Sequence, residues 1–146
     1  MYLLSDFFIA TPEDLAARDW SKSPVLTLPT VLARGVDFGK VLWLNAILFG
    51  AFDDPQMKTV AQLAMRVHLP HVPSDMPQWH DTVGRLAGLC EAQRQRCAEQ
   101  WASLEGWDAH GVTAEQARAM FLHLANLAQQ AVESDRGMYL WQAEYP

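Results

Sequence analysis

Val41-Leu42-Trp43-Leu44-Asn45-Ala46-Ile47-Leu48-Phe49-Gly50-Ala51-Phe52 decides how this chain must fold. Apart from Asn45, the run is apolar on every side of any helix or strand it could form. Helical spacing puts Leu44, Leu48 and Ala51 on one side and spreads Val41, Trp43, Ile47 and Phe49 around the others. A helix apolar all round is either buried or spans a membrane. A span needs about 20 residues, and this run stops short at Asp53-Asp54-Pro55. The expectation is a buried central helix over residues 38–51, capped by Asp37, in a soluble domain. Asn45 inside it needs hydrogen-bond partners, expected from the backbone of the 25–36 connection.

Upstream, residues 2–10 are rich in strand formers. Leu3, Phe7 and Ile9 point one way and Leu4 and Phe8 the other, which predicts a strand covered on both faces. In Thr11-Pro12-Glu13-Asp14, a cap, a first-turn proline and two carboxylates open a short helix ending near Asp19. Ser21-Lys22-Ser23-Pro24 breaks it. Pro29 bars a central strand through residues 25–36, leaving an extended connection with a short strand near Val25–Leu28.

Downstream, Asp54 and Pro55 open a helix of about 55–67 with the inner stripe Val60, Leu63, Ala64 and Val67. Pro70, Pro73 and Pro77 mark an exposed connection. Trp79, Val83, Leu86, Cys90, Cys97, Trp101 and Leu104 recur at helical spacing, predicting one long helix over 78–104 ended by Gly106. Thr113-Ala114-Glu115-Gln116 is a capping box opening a helix of about 114–134, closed by Gly137. The tail alternates, with Tyr139, Trp141, Ala143 and Tyr145 on one side, and reads as a strand. The chain therefore reads as one globular domain, residues 1–146. Its fold class is α+β, mainly helical: about five helices around one buried central helix, with a small sheet formed by the N- and C-terminal strands.

The totals narrow the function classes. A chain of 146 residues suits one domain, burying roughly 68–70% of the surface its unfolded form exposes. The net charge of −6, with Lys22, Lys40 and Lys58 as the only lysines, argues against nucleic-acid binding. No targeting pattern opens the chain. On one helix, Cys90 and Cys97 would be about 10.5 Å apart, too far for a disulfide, so they read as buried thiols in a reducing, cytoplasmic setting.

No catalytic signature emerges. His68, His71 and His80 fall within thirteen residues and could offer imidazoles to a metal, with Asp75 or Asp81 beside them. Pro70 breaks any shared helical face for His68 and His71, and no HExxH is present. No serine sits in a Gly-x-Ser-x-Gly elbow and no glycine-rich phosphate loop exists. The bland reading, a loop that happens to carry histidines, is preferred; no cofactor and no catalytic residue are expected.

What remains is surface character. Trp20, Trp79 and Trp107 lie at helix ends and loops, beside Asp19, beside Asp75 and Asp81, and beside Glu105 and Asp108. Aromatic anchors rimmed with acid suit a basic protein partner, and these eight residues are the expected partner-binding set. In compact size, negative charge and lack of a catalytic motif, with Pro29-Thr30-Val31-Leu32-Ala33-Arg34-Gly35-Val36-Asp37-Phe38 leading into the core helix, the chain resembles, at class level, the small acidic cytoplasmic immunity proteins that bacteria pair with secreted toxins. The resemblance implies a non-catalytic inhibitor of a toxin or effector, and it carries no residue roles with it. A self-associating subunit, possible as a homodimer, ranks second. A metal-dependent enzyme using His68, His71 and His80 ranks third.

Overall fold

A computed structural model describes residues 2–57, 59 and 79–145. The fold is α+β and mainly helical, as expected. Strands β1 (Tyr2–Ala10), β2 (Thr30–Val31) and β3 (Gly137–Tyr145) form an antiparallel sheet in the order β2-β1-β3. The chain ends pair along their full length, from Tyr2 opposite Tyr145 to Ala10 opposite Gly137. The helices are α1 (Pro12–Ala16), α2 (Phe38–Leu48), α3 (Trp79–Ala87), α4 (Glu91–Ala102) and α5 (Ala114–Glu133).

Period-2 alternation sorts β1 into two faces. Phe7 and Ile9, with Met138 and Leu140 of β3, join a core completed by Val41 and Leu44 of α2, Leu86 of α3, Trp101 of α4 and Phe121 and Leu124 of α5. Each of these side chains contributes about 1.5–3 kcal/mol on burial. Phe8, Ala10 and Trp141 face the other way, into a smaller cluster covered by Leu15, Trp20 and Leu28. The Phe8 ring lies 5.3 Å from that of Trp20, and the Trp141 indole N–H donates to Trp20 O at 2.9 Å. The sheet is thus covered on both sides, as the two-sided apolar pattern of β1 requires.

Three caps sit where the sequence puts them. The amides of Asp14, Lys40 and Gln116 donate to the side chains of Thr11, Asp37 and Thr113. Asp54 accepts from the Gln56 amide at 2.9 Å and residues 55–57 are helical. The rest of the expected 55–67 helix and its proline-rich connection lie largely outside the described residues.

Several expectations are corrected. The central helix is buried over most of its length but ends at Leu48, not 51. Gly50 takes φ +78°, and the amides of Gly50 and Ala51 return to the carbonyls of Ile47 and Ala46, a Schellman ending that leaves Phe49 exposed. Asn45 meets Thr82, whose hydroxyl donates to its amide oxygen, not the 25–36 backbone.

The expected single helix over 78–104 is two. Gly88-Leu89-Cys90 breaks it, Cys90 stands in extended conformation before α4, and the Gln93 side chain accepts from the Cys90 amide at 2.9 Å. Helical spacing continues through that break by coincidence, so Cys90 is exposed while Cys97 is buried. Residues 24–26 form a 3-10 turn instead of a strand, because the Ser23 side chain accepts from the Val25 amide and Pro24 takes the first position of the turn. The strand shifts to Thr30–Val31 opposite Phe8 and Phe7. At the end of α5 the left-handed residue is Asp135, φ +53°, not Gly137, which already belongs to β3.

Candidate protein-binding face

Two of the three tryptophans expected at the surface are inside. Trp79 is 5% exposed and its indole N–H donates to Met138 O at 2.6 Å, tying α3 to β3. Trp107 is 3% exposed, donates to Trp101 O at 3.0 Å and packs edge-on against the Trp101 ring. Trp20 is half-buried on Phe8 and donates to Leu15 O at 3.2 Å. Position at a helix end says nothing about what folds back over a side chain; β3 and α4 cover these two.

The acids expected beside the tryptophans do stand outside. Asp19, Asp81, Glu105 and Asp108 are exposed. The Ser21 hydroxyl and amide hold the Asp19 carboxyl below its ordinary range. Asp75, His68 and His71 lie outside the described residues, and His80 is exposed in the first turn of α3. Among the described residues no group of three or more His, Cys, Asp or Glu is placed to hold a metal ion. No helix among them is long and apolar enough to cross a membrane.

Lys40 is the least expected core residue. It is fully buried, with Nζ donating to Glu105 O at 2.7 Å and lying 5.0 Å from the centre of the Trp107 ring. Burial pushes its pKa down, against the pull of Asp37, Asp108 and Glu105. Together with the Trp101 indole, which donates to Lys40 O at 3.1 Å, it clamps the 103–112 loop onto α2. That is a structural role.

The sequence reading missed a different face. The 3-10 turn Pro24–Leu26 holds Val25 and Leu26 outward, and the short β2 turns Leu32 outward. Leu26 is 93% exposed and Leu32 64%. Val25, Leu32, Val112, Met120, His123 and Asp6 help line a depression of about 630 Å³. Asp6, on the sheet and 3% exposed, forms part of its wall. The Ser23 hydroxyl donates to Asp6 Oδ2 at 2.6 Å. Burial raises the Asp6 pKa, and the Ser23 hydrogen bond opposes that; no cation among the described residues offsets it. Gly111 and Val112 also line a second depression, of about 550 Å³, bordered by Glu105 and Asp108. One of the acidic patches expected from sequence therefore adjoins the apolar face.

Ser23, Asp6 and His123 share this wall, but His123 makes no hydrogen bond to either of the others among the described residues, so the serine–histidine contact that activates a nucleophile is not formed there. Apolar residues around a few convergent polar groups suit recognition. The usable signal in the sequence was Asp6 within an otherwise apolar strand. For Leu26 and Leu32 there was none, because apolar residues beside a proline read equally well as core. No family model, curated protein or solved structure matches this chain.

Proposed function

We propose that this is a non-catalytic binding protein of the immunity or inhibitor kind, acting in the cytoplasm by occluding a basic protein toxin or effector. The observation that carries the reading is the shelf of Val25, Leu26 and Leu32, large apolar side chains held out in water on a chain of net charge −6. Large apolar side chains held exposed beside a depression are a feature of interaction surfaces. Acid around them favours a basic partner and speeds its encounter. With Trp79 and Trp107 taken up in packing, the anchors are these aliphatic residues. Glu105 and Asp108 supply the adjoining acidic rim, and Asp19 and Trp20 a more distant element of it.

Affinity capture from the source cell, with wild type and with Leu26→Glu/Leu32→Glu, tests the reading. The expected result is a stoichiometric basic protein recovered by wild type alone. Its expression should arrest growth, and co-expression of wild type, but not of the double variant, should restore it. Capture of nothing stoichiometric, or rescue by both forms, would sink the proposal. Dimerisation of the chain in light scattering, abolished by the same pair, would assign the shelf to a second copy instead.

A further inference from the structure

The geometry points to the Asp6 depression as a receptor for one lysine or arginine side chain of the partner, its ammonium or guanidinium meeting the Asp6 carboxylate and its alkyl stem lying along Val112 and Met120. This deepens the binding reading above and rests on it.

A carboxylate removed from water is stable only when paired or well hydrogen-bonded. Asp6 has one hydroxyl, Ser23, on one oxygen, and no cation among the described residues contributes to its charge balance. Arg34 lines the same depression and has an interaction of its own. Burying this acid in a sheet costs stability that an asparagine would not.

An incoming cation recovers that cost. Basic side chains combine a charged head with an apolar stem, which matches a polar group set within apolar walls. A small free amine would leave Leu26, which stands outside the depression, uncovered, so the occupant is a side chain of a macromolecule whose backbone lies over the shelf. The acidic rim at Glu105 and Asp108, joined to the depression through Gly111 and Val112, favours the same sign of charge.

Two measurements test this. In the first, NMR titrations with n-hexylammonium and with 1-hexanol follow the Ser23 and Val112 amides and the Leu32 and Met120 methyls. The ammonium is expected to bind about tenfold more tightly than the alcohol, the difference between a charged and a neutral hydrogen bond. Asp6→Asn should erase that preference. Ala119→Trp, at an exposed position on α5 that also lines the depression, should block both probes while leaving Asp6 untouched. In the second, capture of the partner is repeated with these two variants and is expected to fail with each.

Equal affinity for the two probes in wild type, or shifts confined to another surface, would overturn the inference. So would a clear ammonium preference combined with full capture by both variants, which would make this a small-amine site. The protein-binding reading survives any of these results if Leu26→Glu/Leu32→Glu still loses the partner. It falls on its own if wild type captures none.

Discussion

Asp6 and Gly35 show how much single positions constrain this fold. The Asp6 carboxyl is raised by burial above its ordinary value of 3.8. A group raised in the folded state contributes its stability fully below its unfolded pKa and loses it as pH rises through the folded value. Asp6→Asn keeps a side-chain oxygen for Ser23 and removes the charge. It is therefore expected to melt above wild type at pH 7, with the gap closing as pH falls toward 3.8, in paired thermal scans. A variant that is less stable at pH 7 would mean that Asp6 has a cationic partner in the free protein.

Gly35 works in the opposite sense. It has φ +72°, and a Cβ added there would lie 2.6 Å from His110 Cβ. Left-handed backbone alone costs a non-glycine residue about 1–2 kcal/mol. With the clash added, Gly35→Ala is expected to lose about 2 kcal/mol or more in urea unfolding.

At the scale of elements, caps were legible and breaks were not. Thr11, Asp37 and Thr113 announce helix starts because a side-chain oxygen three residues before an amide is a local fact. The strands at the two ends of the chain, β1 and β3, were legible from pattern: Phe7, Phe8 and Ile9 in a row need cover on two faces, and the tail alternates. The break between α3 and α4 was hidden because Val83, Cys90, Cys97 and Leu104 keep a seven-residue spacing across it. The 3-10 turn at Pro24 was hidden because Val25 and Leu26 look like strand residues until the Ser23 cap is in place.

That break carries its own prediction. Cys90 occupies an N-cap position with extended backbone, φ −73° and ψ 168°, where a thiol is a poor acceptor. Cys90→Ser is expected to add about 0.5–1 kcal/mol, the usual gain from a hydroxyl cap, measured by denaturant midpoint at unchanged slope. Arg94–Asn126 and Arg118–Glu99, which tie α4 to α5, are exposed and add little to that packing.

For the molecule as a whole, the separation of roles is between a core that uses its tryptophans and a surface that leaves leucines out. Trp79, Trp101, Trp107 and Trp141 each spend their indole N–H on a backbone carbonyl, so they fasten elements together. Their positions near helix ends made two of them look like anchors in one dimension. Only the fold decides which apolar residues are covered, and it covers those and not Leu26 or Leu32. The acidic charge acts at longer range. Association with a basic partner is expected to slow as ionic strength rises through about 0.1 M, where the screening length falls to about 10 Å. Stopped-flow rates at several salt concentrations would read this out, and a rate independent of salt would argue against a basic partner.

The central claim, that the Val25–Leu26–Leu32 shelf is the working surface, is tested most directly by the affinity of the purified partner for wild type and for Leu26→Glu/Leu32→Glu in isothermal titration. Both leucines are solvated in the free protein, so the variant should keep its melting temperature. Losing the burial of two leucines, about 1.5–3 kcal/mol each, predicts about a hundredfold weaker binding or more; an affinity unchanged within experimental error would contradict the account.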